Sequence, residues 1–137
     1  MKLKRMTALL MCAICIFSFL TFPCAVADGF EQKEEPTRII YTSTATCYYT
    51  AAGGQRISVV VKYTKRDEPS NASGYYATGV QSITARNVSG WTYVASNAVI
   101  NSVSYSDNHQ QVTVNFTYNA SIGSGVSAYT GTVTFRI

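Results

Sequence analysis

The sequence predicts an all-β fold, an antiparallel β-sandwich of about seven short strands. From residue 38 onward, apolar and polar residues alternate, which is the pattern of strands with one buried and one wet face. Turn-forming residues recur at roughly the 8–12-residue spacing that sandwiches show. Beyond residue 27 no long stretch has the 3.6-residue apolar period of a helix, and no repeat of fixed length occurs.

The first predicted hairpin joins a strand at 38–50 to a strand at 56–65. The first strand is rich in β-branched and aromatic residues. In the second, every other residue from Ile57 to Tyr63 is apolar. The segment 51–55, AAGGQ, supplies glycines that reach the positive φ of a tight turn.

The middle of the chain is less regular. A polar loop at 66–74 leads into a strand at 75–88, in which Val80 and Ile83 lie an odd number of residues apart. We therefore expect a β-bulge between them or an early end to the strand. After a turn at 87–90, two short strands are predicted at 91–95 and 98–106, with Val99, Val103 and Tyr105 in phase.

The end of the chain alternates most cleanly. A turn at 107–110 precedes a strand at 111–118, and a Gly/Ser loop at 119–127 precedes a strand at 129–137. In period and spacing these last three strands resemble the end of an immunoglobulin-like sandwich. The cysteine pair that marks antibody domains is absent, so the resemblance is one of architecture only.

Residues 1–27 have the three parts of a secretory signal peptide. Three positive charges precede an apolar run over 6–22, and Ala25-Val26-Ala27 provides a cleavage site. We expect cleavage after Ala27, which leaves an acidic, flexible leader at 28–37 before the domain at 38–137. The alternatives are an uncleaved membrane anchor and lipidation at Cys24.

Removal of the signal changes the charge balance. Three of the 11 Lys and Arg residues leave with it, so eight remain against seven Asp and Glu. The leader is acidic, whereas the body from residue 38 carries seven basic and three acidic side chains. A basic body favours anionic surfaces such as wall polymers, and the alternative is a solvated surface without a partner.

Only one cysteine, Cys47, remains after cleavage, so the domain has no internal disulfide. A domain of this length buries enough surface to fold on its own core. Cys47 falls in phase with Ala45 and Tyr49, and we interpret it as a small buried hydrophobe rather than a reactive thiol or a dimer bridge.

Catalytic chemistry has few residues to use. The single histidine, His109, is predicted in an exposed turn, where solvation is the expected state. The body's three acids are Asp67, Glu68 and Asp107, and Cys47 is predicted to be buried, so we expect no enzyme activity, metal site or cofactor. Basic residues cluster only at Lys62, Lys65 and Arg66, which argues against nucleic-acid binding.

Aromatic residues are abundant and supply the candidate ligand-binding positions. Trp91 and Tyr93 follow a glycine turn, and Tyr75 and Tyr76 are consecutive, so they must point to opposite faces of a strand. Exposed rings of this kind hold sugar rings in extracellular sandwiches. The alternative, favoured for Trp91, is a place in the core.

The sequence therefore predicts a secreted or cell-surface, noncatalytic binding module whose ligand is unknown. Two more specific alternatives are open. The module binds a carbohydrate or cell-wall polymer through Trp91, Tyr93, Tyr75 and Tyr76, or it pairs with another surface protein through its edge strands. We expect no nucleic-acid partner and, after signal cleavage, no membrane association.

Overall fold

The structure is a computed structural model that describes residues 38–137. The predicted signal peptide and leader lie outside the described residues. Within this range there are six strands and no helix, and hence no helix that could cross a membrane. The strands are β1 (Ile40–Thr50), β2 (Arg56–Asp67), β3 (Tyr75–Ser89), β4 (Tyr93–Tyr105), β5 (Gln111–Ser121) and β6 (Ser127–Arg136).

The strands form one curled antiparallel sheet, a half-barrel, in the order β1-β2-β3-β4-β5-β6. Long ladders join β1 to β2 to β3 and β4 to β5 to β6, whereas β3 and β4 pair only at Thr84 and Asn97. The sheet thus has two three-stranded halves. We call the end formed by 51–55, 90–92 and 122–126 the upper end, and the end formed by 68–74 and 106–110 the lower end.

The prediction of an all-β, antiparallel fold is confirmed, but the structure has six strands in one sheet rather than about seven in an immunoglobulin-like sandwich. The strands predicted at 91–95 and 98–106 are a single strand, β4. Its register against β5 shifts between Val94 and Ala98, and Asn97 turns to β3 instead. The irregular segment resembles a loop in the sequence pattern, which is why one strand was predicted as two.

A second register shift in β4, between Ile100 and Ser102, leaves Asn101 unpaired with β5. The bulge reverses which face the alternating residues occupy. Val99 is consequently exposed, while Ile100 and Val103 pack against the core. The predicted common phase of Val99 and Val103 is therefore wrong.

The bulge predicted between Val80 and Ile83 is confirmed. Tyr63 pairs with Val80 and the preceding residue, Lys62, pairs with Ser82, so Gln81 is the extra residue in β3. Because bulges bend and twist a strand, they help the sheet to curl back over its own apolar face.

The core lies inside the curl. Most of it comes from alternate residues of β2 and β5, the middle strands of the two halves. Rings from the two halves meet across the core, where the centroids of Tyr63 and Phe135 are 5.1 Å apart. The buried apolar residues are Ile57, Val59, Val61, Tyr63, Ala77, Ile83, Ala85, Trp91, Val112, Val114, Phe116, Tyr118, Ala120, Val133 and Phe135. All six strands and this core lie within 38–137, which forms one compact unit.

Cys47 packs at the edge of this core, half-buried. Burial raises the pKa of its thiol, which disfavours the reactive thiolate. The interpretation of Cys47 as a small apolar side chain is consistent with this position.

The two outer strands, β1 and β6, approach without a paired ladder in the described residues. The Tyr49 hydroxyl of β1 donates to the carbonyl of Thr130 in β6 at 3.1 Å. Its ring lies over Gly131, where a β-carbon would come within 3.0 Å of the ring. The curl is therefore closed at this level by one aromatic side chain.

Candidate functional site

The structure places Trp91 in the core, the alternative that the sequence favoured. Only 6% of its surface is exposed, and its indole packs edge-on against Tyr118 and Tyr129, with ring centroids 5.9 and 4.8 Å apart. A buried indole presents no ring face to a sugar.

Tyr75 and Tyr76 make separate sets of contacts at the lower end. The Lys65 ammonium lies 3.5 Å from the centre of the Tyr75 ring. The Arg66 guanidinium lies 4.4 Å from the centre of the Tyr76 ring, and the His109 ring stacks on Tyr76 at 4.0 Å. At least one face of each ring, on which a sugar would stack, is therefore already in contact with a protein group.

Tyr93 is the one predicted ligand residue with a freely exposed ring, since 50% of its surface is accessible. It begins β4 at the upper end, whereas Tyr75 and Tyr76 begin β3 at the lower end. The length of β3 separates them by roughly 40 Å. The structure does not bring Trp91, Tyr93, Tyr75 and Tyr76 together into one platform.

His109 differs from its predicted state. Instead of standing solvated in an exposed turn, it is half-buried between the rings of Tyr76 and Tyr105, 4.0 and 4.6 Å away. Its Nδ1 donates to the carbonyl of Ala77 at 2.9 Å, since a carbonyl can only accept, and the Ala77 amide donates to the His109 carbonyl at 3.1 Å. The β4–β5 turn thus folds onto β3 and forms a second link between the two halves.

The acids of the described residues lie in or beside the lower-end loops. Asp67 accepts a hydrogen bond from the Tyr41 hydroxyl at 3.0 Å, which raises the pKa of that tyrosine. Glu68 forms ion pairs with Arg38 at 3.2 Å and with Arg66 at 3.9 Å. Within 38–137 no three His, Cys, Asp or Glu side chains are grouped so as to hold a metal ion.

A polar pocket of about 260 Å³ also lies at the lower end. It is lined by Ser106, Asn108, Gln110, Gln111 and Arg136. The Ser106 hydroxyl is engaged within the turn, because it donates to Asn108 and accepts from the Gln111 amide. The side-chain nitrogen of Gln110, by contrast, is buried without a hydrogen-bond partner among the described residues.

The outer face of β1–β3 is the surface with the most distinctive chemistry. The residues of β2 that alternate with the buried Ile57, Val59 and Val61 point outward, and they pair with outward residues of both neighbours. Three exposed cations stand on this face: Arg56 and Lys62 of β2, and Arg86 of β3. We call these three residues and their neighbours on the outer surface the cationic face.

Around the three cations the cationic face is hydroxyl-rich and free of carboxylates. Ser58 pairs with Arg86, and Lys62 pairs with Ser82. The Arg56 guanidinium stacks 4.5 Å from the centre of the exposed Tyr48 ring. The outward residues of β1 beside them are Thr42, Thr44, Thr46, Tyr48 and Thr50.

Register fixes the spacing of the charges. Arg86 lies one strand across and one same-face step along from Arg56, about 8 Å between α-carbons. Lys62 lies about 14 Å from Arg86, so the cations extend along some 20 Å of β2. Such a row can contact several successive charges of an extended chain.

The sequence pattern alone did not find this face. It grouped Lys62 with Lys65 and Arg66. In the structure Lys65 is in the opposite phase of β2 and contacts Tyr75, while Arg66, in the same phase as Lys62, is engaged by Tyr76 and Glu68. Alternation in β2 does place Arg56 and Lys62 on one face, a signal that was available. The bulges of β3 conceal that Arg86 joins them.

Comparison of the chain with known proteins finds no matching family model, no similar curated protein and no similar solved structure. Its function is therefore inferred from its surface chemistry.

Proposed function

We propose that this protein is a secreted, noncatalytic binding module whose cationic face binds an anionic polymer at the cell surface. The observation that carries the proposal is the grouping of Arg56, Lys62 and Arg86 on one outer face, with no carboxylate among the residues paired with them. Cations so arranged attract a polyanion over a Debye length, and neighbouring hydroxyls can donate to its oxygens.

A noncatalytic role is supported by how the acids are used. Asp67 accepts from the Tyr41 hydroxyl, and Glu68 is paired with two arginines. General acid or base catalysis needs a carboxyl group that is free to exchange a proton with a substrate. The third acid of the described residues, Asp107, lies in the exposed β4–β5 turn and belongs to no group of three His, Cys, Asp or Glu side chains within 38–137.

The test is binding of the chain from Asp28 onward to linear polyphosphate, with uncharged dextran as the neutral probe. For three phosphate contacts on a single-stranded polyanion, log K should fall with log salt with a slope of about −2. The triple variant Arg56→Gln, Lys62→Gln, Arg86→Gln should lose most of the affinity and most of that slope.

A charge-matched control removes three cations elsewhere: Arg38→Gln, Lys65→Gln, Arg136→Gln. Both variants have the same net charge, so a general attraction between protein and polymer would weaken them equally. Retention of binding by this control, and its loss in the cationic-face variant, supports the proposal. Equal loss in both, or salt-resistant binding to dextran that depends on Tyr93, would overturn it.

The sheet edges support a second candidate, assembly through strand addition. β1 and β6 have no ladder with each other in the described residues, and β1 begins at the exposed Ile40, next to the exposed Ile39. An unpaired edge is a template for another chain's strand. Light scattering tests this directly: a mass that rises with concentration, and falls to that of a monomer on Thr46→Pro in β1, supports assembly.

A further inference from the structure

The upper end of the second half of the sheet carries exposed apolar side chains. Tyr93 begins β4, while Ile122 and Val126 flank the short glycine-rich loop between β5 and β6, and these three are 50%, 55% and 60% exposed. Tyr93 pairs with Ser121, which directly precedes Ile122, and Ala120 pairs with Ser127, which directly follows Val126. The three side chains therefore lie at the same level, at the ends of three adjacent strands. We call Tyr93, Ile122 and Val126 the apolar tips.

The loop that bears two of the tips is held in place rather than collapsed on the core. The Gly123 amide donates to the Thr92 hydroxyl at 2.9 Å, and the Thr92 amide donates to the Ser121 carbonyl at 2.8 Å. Gly123 and Gly125 have φ values of 84° and 94°, which side chains rarely adopt. Ile122 and Val126 are therefore kept outward by a specified backbone.

Charge is distributed unevenly between the two ends. Arg56 and Arg86 stand on the upper part of the cationic face, on the first residue of β2 and near the end of β3. The acids of the described residues, Asp67, Glu68 and Asp107, stand at the lower end. Among the described residues, the upper end thus combines apolar tips with positive charge and no acid.

We propose that the upper end docks on an anionic lipid surface, with the apolar tips entering the interface and Arg56 and Arg86 meeting the headgroups. A lipid interface accepts shallow protruding loops, whereas a protein partner's hot spot requires a shaped, closely packed pocket. Half-exposed tyrosines such as Tyr93 favour the boundary between apolar and wet layers. The unbroken positive charge selects anionic over neutral lipids.

This proposal goes beyond polymer binding and revises the expectation of no membrane association after signal cleavage. The composition of the loop 119–127 reads as an ordinary Gly/Ser connection. Only the structure shows that its aliphatic residues stay exposed and that a tyrosine and two arginines share their end of the sheet.

The test is flotation of the chain from Asp28 onward with vesicles of phosphatidylglycerol and phosphatidylcholine, and with phosphatidylcholine alone. The parent protein should partition at least about tenfold more strongly to the anionic vesicles. The double variant Ile122→Ser, Val126→Ser should lower that partitioning at least about tenfold, because two aliphatic side chains no longer enter the interface.

The matched control, Ile39→Ser, Ile40→Ser, removes two equally exposed aliphatic side chains at the lower end. It should partition as the parent does, within about twofold. Equal partitioning of the parent and the Ile122/Val126 variant would mean that the cationic face alone attracts the vesicles, which overturns the proposal. The proposal is also overturned if sedimentation shows that the parent is a dimer and the Ile122/Val126 variant is a monomer, because the tips would then contact a second copy of the chain.

Polyphosphate binding separates the two proposals. The Ile122/Val126 variant keeps Arg56, Lys62 and Arg86, so it should bind polyphosphate as the parent does even where vesicle binding fails. Intact emission from the buried Trp91 establishes that each variant is folded.

Discussion

Replacing Gly131 with alanine tests how the two outer strands are held together. A β-carbon at this position would lie 2.9 Å from Cζ of Phe116 and 3.0 Å from two ring carbons of Tyr49. Phe116 is fully buried and cannot move away. Tyr49 must therefore shift, and its hydroxyl loses the bond to the Thr130 carbonyl.

The size of the effect follows from the contacts that are disturbed. Overpacking of this kind costs about 1–3 kcal/mol, and the edge-on contact of Tyr49 with Phe116, 5.9 Å between centroids, contributes about 0.5–1.5 kcal/mol. Alanine also lowers the conformational entropy of the unfolded chain, which stabilises the folded protein by about 0.4–1 kcal/mol. This gain applies because Gly131 has no positive φ that alanine would strain. The net expectation is a loss of about 2 kcal/mol.

Urea unfolding followed by the emission of Trp91 measures this loss. Gly79→Ala is the matched control, since Gly79 is also in a strand without positive φ, and its added β-carbon would meet only the Thr64 hydroxyl at 3.4 Å. The control should be neutral or slightly stabilising. If Gly131→Ala behaves in the same way, Tyr49 does not lie over β6 and the closure described here is wrong.

Two further predictions concern the buried ring of Tyr118, near the upper end of the sheet, and the half-buried ring of His109 at its lower end. Burial, and secondarily the neighbouring Tyr49 and Tyr129, raise the pKa of Tyr118 to about 12. Because the unfolded chain loses this proton near pH 10, the contribution of Tyr118 to stability should be constant below pH 10 and be lost as the pH rises from 10 to 12. Ultraviolet titration showing every tyrosine ionised near pH 10 in the folded protein would contradict this. At the lower end, His109→Ala removes two ring stacks and the hydrogen bond to the Ala77 carbonyl. The variant should lower the free energy of unfolding by about 1–3 kcal/mol. It should also speed hydrogen exchange at the Ala77 amide. A change below about 0.5 kcal/mol would indicate a solvated turn residue instead.

The sequence predicted the strands where alternation is unbroken. In β2, β5 and β6 the buried residues are those that period two selects, because each of these strands keeps one face on the core. The prediction of which residues are buried was wrong where a bulge inserts an extra residue into a strand. The bulge at Asn101 turned Val99 outward, and the detour at 95–97 divided β4 into two predicted strands.

The candidate sites were less predictable, because a site depends on pairing between strands. Trp91 and Tyr93 are two residues apart, yet one is buried and the other exposed, since the turn at 90–92 precedes the ladder. The residues next to His109 in the sequence predict a solvated side chain in a turn. Its contacts come from Tyr76, which is distant in sequence and reaches it only through the curl of the sheet.

The curl also explains why binding is assigned to outer surfaces and not to the concave side. Valine, isoleucine and aromatic side chains from both halves fill the interior, so the concave face of the described residues is the core that holds the fold together. The outer faces remain in water, and their side chains can vary without a loss of core packing. On the first half those side chains include Arg56, Lys62 and Arg86. On the second half Arg136 lies alone at the lower end of β6, and the rest is a polar array in which Asn115 donates to Thr132 and accepts from Asn101. An anionic polymer should therefore distinguish the two halves, and the loss of binding should follow the three cations of the first half rather than the net charge of the chain.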